Sequence, residues 1–377
     1  MDAPASRRTV LRAAALTSLL AACGSPDAEP RSTRTPATTP PTPMPTSTPA
    51  GPTASATPTT PAAARLRIAG TVAEGLAVPW GIAFLSDGSA LVGERDTARV
   101  LHVASGRARG IGTVPGSVSS VDSGGEGGLL GLELHPGGEW LYAYHSASGD
   151  NRVVRMRFDG RSLGDPEVIL DGIATSVHHN GGGLRFSPEG TLFVSTGDAE
   201  DRSNAPDRDS LNGKVLRITD TGGVPDSNPF GNEVWSLGHR NVEGLALDDE
   251  GQLWASEFGE NAYDELNRIV KGGDYGWPDV EGADGAGGFR DPIAQWPTDE
   301  ASPSGIAIVG GHAFLGALQG ECVLSVDLTT GRSRRWLDGH GRIRLVAAAP
   351  DGSLWVGTSN RDGRGSGEAD RILHVTI

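Results

Sequence analysis

The chain is poor in cysteine, methionine and aromatic residues. Its 377 residues include 2 Cys and 3 Met, and aromatic residues make up 5%. A network of disulfides therefore cannot close the fold, and Cys322 has no internal partner if Cys23 serves another purpose. Few aromatic residues together with 55 Gly indicate short strands joined by tight turns, with helix as a minor component.

Positive charge is also scarce, because 32 Lys and Arg residues face 47 Asp and Glu residues and the formal net charge is -15. This balance argues against nucleic acid and anionic membrane surfaces as partners. It is compatible with cation binding, or with solubility alone.

The amino-terminal residues are typical of an export signal. Two arginines at positions 7 and 8 precede an apolar run over residues 13–22 that is too short to span a bilayer. The run ends at Leu20-Ala21-Ala22-Cys23, which resembles a bacterial lipobox. We expect residues 1–23 to be a twin-arginine lipoprotein signal peptide, with Cys23 acylated and the exported protein anchored on the outer face of the cytoplasmic membrane. The alternative is an uncleaved anchor with an incidental cysteine.

Residues 24–64 consist mainly of Pro, Thr, Ser and Ala. Such a segment cannot bury enough apolar surface to offset the entropy of ordering, so we expect an extended tether. Residues 65–377 then form the folded domain. They are too many for most single compact cores and contain no second linker, which favours a repeat architecture.

One pattern occurs six times in this domain: a short apolar strand, a turn rich in Asp, Gly or Pro, and a second strand. The copies begin at residues 81, 131, 183, 244, 305 and 345. A four-stranded antiparallel blade needs about 40 to 50 residues, and the spacing of the copies allows one blade each. The pattern predicts an all-β, six-bladed β-propeller. The terminal segments 66–68 and 371–375 are placed to pair and complete one blade, which would replace disulfides as the closing device.

Three loop segments have residue types suited to chemistry. His178 and His179 lie on a glycine-rich turn, which is either a catalytic lip or an ordinary polar turn. Arg240 lies on a short loop between strands, where a guanidinium can bind carboxylates, polarise a carbonyl or form an exposed salt bridge. The acidic segment 257–265 offers carboxylate and carbonyl oxygens, which suit calcium and not zinc, although a plain acidic loop has the same composition.

Six ordered motifs, together with these loops, resemble those of the pyrroloquinoline quinone (PQQ)-dependent glucose/sorbosone dehydrogenase family, of the soluble aldose sugar dehydrogenase type. The motifs are residues 125–131, 178–179, 211–217, 238–241, 263–267 and 274–278. The resemblance spans essentially all of residues 66–377. It implies a six-bladed propeller with the quinone over the mouth of the central channel, in agreement with the repeat count.

The resemblance also implies roles for individual residues. His179 matches the general base that takes the proton from the anomeric hydroxyl while hydride leaves for the quinone. Arg240 matches a residue that contacts the quinone and stabilises negative charge on its carbonyl oxygen. The other implied cofactor-binding residues are Glu126, Asn241, Trp296, Arg342 and Arg344. The implied calcium ligands are the main-chain carbonyls of Gly259 and Glu260 at the cofactor, and the Glu265 carboxylate with the Tyr275 carbonyl at a second ion. For Trp296, ordinary core packing is the alternative.

The chain departs from the glucose-oxidising members at several positions. Gln319 and Ala199 stand where those members have a lysine and a glutamine, and Gly183 stands where arginine is common. Loops that shape the substrate pocket are short, which predicts an open site that accepts many aldoses.

The sequence therefore predicts a PQQ- and calcium-dependent oxidation of the C1 hydroxyl of aldoses to lactones, with electrons passed to an external acceptor. Two other functions stay open. One is a calcium-dependent propeller hydrolase of the lactonase kind, and the other is a non-catalytic propeller that binds a sugar or a partner.

Overall fold

The computed structural model describes residues 65–283 and 288–377. In these residues the chain forms six separate four-stranded antiparallel sheets and two short 3-10 helices, Val121–Ser123 and Arg202–Asn204. The predicted all-β, six-bladed β-propeller is confirmed. The predicted signal peptide, Cys23 and the tether lie outside the described residues. Within the described ranges no helix is long and apolar enough to cross a membrane.

The first strand, β1 (Arg67–Leu76), belongs to the last blade. The first blade contains β2 (Pro79–Phe84), β3 (Ala90–Glu94), β4 (Arg99–Ala104) and β5 (Arg107–Thr113). The second contains β6 (Leu129–Leu134), β7 (Trp140–Ser146), β8 (Asn151–Phe158) and β9 (Leu163–Ile173). The third contains β10 (Leu184–Phe186), β11 (Leu192–Ser195), β12 (Val215–Ile218) and β13 (Val234–Ser236).

The remaining blades follow the same order along the chain. The fourth contains β14 (Val242–Leu247), β15 (Leu253–Glu257), β16 (Tyr263–Ile269) and β17 (Ala294–Pro297). The fifth contains β18 (Pro303–Val309), β19 (His312–Ala317), β20 (Cys322–Asp327) and β21 (Ser333–Trp336). The sixth contains β22 (Ile343–Ala348), β23 (Leu354–Thr358), β24 (Asp370–Thr376) and β1.

Each copy of the sequence repeat forms the first two strands of a blade. The first strand of each copy is the innermost strand, and five of the six copies begin with glycine. These glycines let neighbouring inner strands approach closely. A Cβ at Gly81 would lie 2.4 Å from the main-chain nitrogen of Leu132, and one at Gly131 would lie 2.1 Å from the carbonyl oxygen of Gly182. The repeated glycine therefore sets the spacing of the strands around the channel.

The hydrophobic core consists of six clusters, and each cluster lies between two adjacent blades. Between the second and third blades, for example, Tyr142 packs edge-on against Phe186 with ring centroids 4.9 Å apart, beside the fully buried Leu216. Each such side chain contributes about 1.5–3 kcal/mol through its burial. Every blade therefore shares an apolar cluster with both of its neighbours, and the clusters together hold the whole ring.

The ring closes by pairing of the two ends of the domain. Strand β1 pairs antiparallel with β24, from Arg67 opposite Thr376 to Leu76 opposite Asp370. This confirms the predicted closure by terminal strands. Cys322 is buried and has a free thiol, so pairing of strands closes the ring without a disulfide.

Candidate active site at one end of the channel

The site residues lie at one end of the ring because of the strand order. The segments that lead into the inner strands β6, β10, β14 and β22 carry Glu126, His179, Arg240 and Arg342. Connections from the second to the third strand of a blade return to the same end, and one of them carries Asp198. Residues distant in sequence therefore meet there.

His179 and Asp198 form the centre of this site. The Nδ1 atom of His179 lies 2.7 Å from Oδ1 of Asp198, and Oδ2 of Asp198 accepts a hydrogen bond of 2.9 Å from the Trp277 indole. An ionised carboxylate only accepts hydrogen bonds, so Nδ1 of His179 carries a proton and Nε2 of the neutral ring is free to accept one. The His179 side chain is 17% exposed, whereas that of Asp198 is 1% exposed.

The backbone around this pair is in an unusual conformation. His179, Ala199 and Glu200 have φ angles of 58°, 55° and 61°. Left-handed conformations of residues other than glycine cost about 1–3 kcal/mol each and occur preferentially at functional sites. Ala199, which stands where the resemblance implies a glutamine in glucose-oxidising members, follows Asp198 in the chain, and its amide donates to the His179 carbonyl at 3.3 Å.

His178 has different contacts from its neighbour. Its Nδ1 atom lies 3.1 Å from Oε1 of Glu200, and its ring is 6.4 Å from that of His179. Hydrogen bonds from Ser176 and His178 lower the pKa of Glu200 to about 2. The pair of His178 and Glu200 is exposed at the rim, so the two adjacent histidines have separate partners.

Arg240 and Asn241 lie beside the segment that carries Asp198, whose amide donates to the Arg240 carbonyl at 2.8 Å, and both have unused hydrogen-bond donors. The Asn241 side-chain oxygen accepts from the Gly181 amide at 3.0 Å, and Arg240 lies 5.6 Å from the centroid of a Trp277 ring. The buried Nε of Arg240 and Nδ2 of Asn241 have no hydrogen-bond partner among the described residues. A buried donor without a partner costs about 1–3 kcal/mol. These two atoms therefore fit a ligand that supplies oxygen or nitrogen acceptors, such as a quinone.

Glu126 reaches the same site from the second blade. Its carboxylate accepts a hydrogen bond of 2.8 Å from Arg364, which lies in the sixth blade. It accepts another, of 3.4 Å, from the main-chain amide of His179. Burial opposes ionisation of Glu126, but the positive charges of Arg364 and Arg344 outweigh it and lower the pKa of the carboxyl group.

Arg342 and Arg344 are buried near the site and already have partners. Arg342 pairs with Asp362 at 2.9 Å, and Arg344 pairs with Glu243 at 2.7 Å. Burial raises the pKa of Glu243 despite the nearby Arg344. The structure therefore brings both arginines to the channel. Their positive charges are already partly neutralised by Asp362 and Glu243, so a ligand would interact with ion pairs and not with free cations.

The structure does not bring Trp296 to this site. Trp296 lies on β17, the outermost strand of the fourth blade, and packs with Trp254 and Leu324 in the cluster between the fourth and fifth blades. Its indole donates to the Ser333 hydroxyl at 3.1 Å. These contacts correspond to the core-packing alternative. Trp277, whose indole donates a hydrogen bond to Asp198, is an aromatic residue at the site.

Three of the four predicted calcium residues, Gly259, Glu265 and Tyr275, line a small cavity of about 10 Å³ together with Glu257 and others. Asn267 donates to the Glu265 and Glu257 carboxylates at 2.8 and 3.1 Å, and its own oxygen is buried without a partner. Burial, and then the charge of Glu257, raise the pKa of Glu265 to about 8. Two adjacent buried acids and a free acceptor fit a hard cation.

The remaining calcium candidate, Glu260, uses its side chain elsewhere. Its carboxylate pairs with Arg202, and its amide donates to Glu281 at 2.7 Å. Only its main-chain carbonyl is therefore available for the role expected from the resemblance. Within the described ranges, no group of three or more His, Cys, Asp or Glu side chains is arranged to hold a metal ion, so a calcium site here depends on main-chain oxygens.

Sequence reasoning missed Asp198, and it included Glu257 only as part of the acidic segment 257–265, with no role or partner of its own. Glu257 accepts from the buried His239 ring at 2.9 Å and from the Arg240 amide at 2.6 Å. Glu257 is the last residue of the second strand of the fourth blade, and Asp198 follows the second strand of the third blade. Both blades carry predicted site residues. That position was the available signal, because the loops after second strands return to the end of the ring where the site lies.

A second cavity, of about 310 Å³, occupies the central channel below this site and is lined by the inner strands of all six blades. Glu133 and Arg185 line it, with 3.7 Å between their charged groups. This cavity extends along the inner strands, away from the site and toward the opposite end of the channel. Gly183, a departure noted above, also lies on its wall, where a Cβ would be 2.8 Å from the Ser195 hydroxyl.

Comparison with known proteins identifies similar chains. A sequence model of the family described as Glucose / Sorbosone dehydrogenase matches residues 76–373. Aldose sugar dehydrogenase of Escherichia coli strain K12 is 31% identical over 330 residues, which cover 76% of this chain and 88% of that protein. Quinoprotein glucose dehydrogenase B of Acinetobacter calcoaceticus is 32% identical over 246 residues, or 55% of this chain and 50% of that protein.

Solved structures are similar over the same region. The PQQ-bound aldose sugar dehydrogenase of Streptomyces coelicolor has a TM-score of 0.79 and 45% identity, covering 84% of this chain and 98% of that one. A Thermus thermophilus protein described as a putative oxidoreductase (glucose dehydrogenase) has a TM-score of 0.75 and 39% identity, covering 83% of this chain and 100% of that one.

Proposed function

This chain belongs to the glucose/sorbosone dehydrogenase family, and from that membership we propose that it oxidises the C1 hydroxyl of aldose sugars to lactones with PQQ and calcium. The chain is an oxidoreductase, like the relatives it matches. The observation that carries the proposal is the contact of His179 with Asp198 beside the unpartnered donors of Arg240 and Asn241.

His179 acts as the general base in this proposal. Its Nε2 takes the proton from the C1 hydroxyl of the sugar as hydride leaves C1. Asp198 holds the ring in the required tautomer and stabilises the imidazolium that forms, and Trp277 fixes the second oxygen of Asp198. PQQ, when bound, supplies the two-electron acceptor for the hydride.

Arg240 and Asn241 orient the cofactor through the donors that lack protein partners. Arg240 would place its positive charge beside the cofactor, where a guanidinium can stabilise negative charge. Arg342 and Arg344 would offer positive charge to its carboxylates in addition to their own acid partners, and Glu126 would border the same space.

Calcium has two places in the proposal. The main-chain carbonyls of Gly259 and Glu260 would hold an ion at the cofactor, and that ion would supply a Lewis acid. The Glu265 carboxylate and the Tyr275 carbonyl would hold a second, structural ion at the small cavity that both residues line.

The amino-terminal signal supports a further part of the proposal, which is export and lipid anchoring through Cys23 on the outer face of the cytoplasmic membrane. The enzyme would then pass its electrons to an external acceptor.

Reconstitution tests the function. The purified protein is loaded with PQQ and calcium and mixed with single aldoses and an electron-accepting dye. We expect dye reduction that depends on sugar, PQQ and calcium, and that is lost in His179→Ala. Hydrolysis of lactones without PQQ would instead support a lactonase, and sugar binding without turnover would support a binding propeller. Strong discrimination among aldoses would contradict the expected open site.

A further inference from the structure

Lys214 is a buried cation that the proposed mechanism does not use. It immediately precedes β12 and is 0% exposed. Its ammonium donates to three main-chain carbonyls, those of Asn204 at 2.6 Å, Ala205 at 2.9 Å and Asn212 at 2.7 Å. In the described part of the chain, no carboxylate lies within ion-pair distance of it. All three acceptors belong to the loop between β11 and β12.

Burying an ammonium at this position costs desolvation free energy. Burial lowers the pKa of Lys214 to about 7, although Asp207 and Asp274 attract its charge. An apolar residue would have a smaller desolvation cost, but it would leave three carbonyls without hydrogen-bond donors. Lysine suits this position because its three N–H bonds point in different directions, whereas the guanidinium of arginine is a planar fork. The chain's other lysine, Lys271, is exposed.

The loop that Lys214 holds carries Asp198 at its start. The side chain of Asn204 donates to the Asp198 carbonyl at 2.9 Å, so the residue whose carbonyl accepts from the ammonium also bonds to Asp198. The carbonyl of Ala205 accepts a second hydrogen bond from the Gly238 amide at 2.9 Å. Gly238 begins the segment that leads to Arg240. The Lys214 ammonium is therefore linked by hydrogen bonds both to the loop that carries Asp198 and to the segment that carries Arg240.

We propose that Lys214 is a positioning residue for the His179 base: its ammonium fixes the loop so that Asp198 stays in contact with His179 Nδ1. Without the ammonium, three loop carbonyls lose their hydrogen-bond donor. The loop then changes conformation to satisfy them, and Asp198 shifts. The His179 ring then loses the partner that keeps the proton on Nδ1. The effect on turnover rests on the proposed function, whereas the effect on the His179 tautomer does not.

The test compares Lys214→Met with Lys271→Met, which removes the exposed lysine. The first measurement is the ¹⁵N chemical shifts of the His179 ring in the protein without PQQ, assigned with His179→Gln. We expect the Nδ1–H form in the parent and in Lys271→Met, and a mixture of tautomers in Lys214→Met. In the enzyme loaded with PQQ and calcium, kcat should fall at least tenfold in Lys214→Met, with KM for the aldose within about threefold.

Chemical rescue separates positioning by a donating cation from simple packing. Lys214→Ala leaves a space that propylammonium can fill, and tetramethylammonium at the same ionic strength has the charge but no N–H donor. We expect propylammonium alone to restore the tautomer and raise kcat at least threefold. If Lys214→Met does not fold, Asn204→Ala removes the bond to Asp198 while keeping the backbone carbonyl, and it should give the same mixture of tautomers.

A folded Lys214→Met protein with the parent tautomer and kcat would overturn the proposal. Equal rescue by both cations, or rescue by neither in a folded Lys214→Ala protein, would also overturn it. A changed tautomer in a chain whose parent has no dehydrogenase activity would leave the positioning role standing and contradict only the proposed function.

Discussion

Asp198 Oδ1 lies 2.7 Å from His179 Nδ1, although His179 precedes the inner strand of the third blade and Asp198 follows its second strand. The two strands, β10 and β11, are antiparallel neighbours, with Leu184 opposite Val194. This pairing brings the start of one strand and the end of the next to the same end of the blade. The contact is thus a direct consequence of the hairpin.

The first prediction concerns this contact. Asp198→Asn keeps the shape of the side chain but removes the charge that stabilises a protonated His179 ring. We expect kcat for aldose oxidation to fall by about 10² to 10⁴, as measured by dye reduction, with PQQ affinity little changed. His178→Ala, which alters the exposed neighbouring ring, should stay within about threefold of the parent. A similar loss in both variants would contradict separate roles for the two histidines.

The second prediction concerns calcium. A chelator should lower Tm in a way that added calcium reverses, because the ion compensates the adjacent acids Glu257 and Glu265. At a calcium concentration 100 times Kd, binding stabilises by about 2.7 kcal/mol, or roughly 5 °C in a domain of this size. Glu265→Gln should weaken the response. Glu260→Gln is the matched control, since its carboxylate pairs with Arg202, and a lost response there would contradict the assignment.

The third prediction separates two tryptophans. Trp296→Phe removes a bond to Ser333 and some apolar contact in the core, so it should cost about 1–2 kcal/mol of stability and leave PQQ affinity unchanged. Trp277→Phe removes the donor to Asp198 and should lower kcat about tenfold. Chemical denaturation and PQQ titration measure the two effects. Weaker PQQ binding by Trp296→Phe alone would restore the expectation that this ring packs on the cofactor.

The fourth prediction concerns pH and the channel. Burial raises the pKa of Glu133 despite the charge of Arg185. The carboxyl group therefore contributes stability below its ordinary pKa, and this contribution is lost as pH rises through the raised value. Glu133→Gln should then increase Tm at pH 7 by on the order of 1–2 °C, and this gain should disappear near pH 4. Thermal melts across pH measure it, with the exposed Glu139→Gln as control. A gain that is independent of pH would contradict the explanation.

Much of the fold was predictable because its signals are local. The glycine that begins five repeats, the turn after each inner strand and the apolar second strand all recur within about fifteen residues. The number of copies then gave the number of blades. Closure was also predictable, since 66–68 and 371–375 were the strand-like segments left over at the two ends.

The site was predictable only in part. His179, Arg240 and Asn241 lie on loops whose composition indicated chemistry, and the structure brings them together. Asp198 was missed and Glu257 was given no partner, because the partners of both acids depend on which strand ends meet. Trp296 was placed with the cofactor from a resemblance, but its position on an outermost strand puts its ring between blades.

The sequence by itself determined the strand period, the number of repeats and the chemical types available in the loops, because each depends on neighbours along the chain. Only the tertiary structure decided which of those groups touch. The pairing of Glu126 with Arg364 arises from ring closure, which joins distant segments of the chain. The contact of His179 with Asp198 depends on the register of one hairpin, and the bonds of Lys214 depend on the path of its own loop, neither of which residue types alone specify.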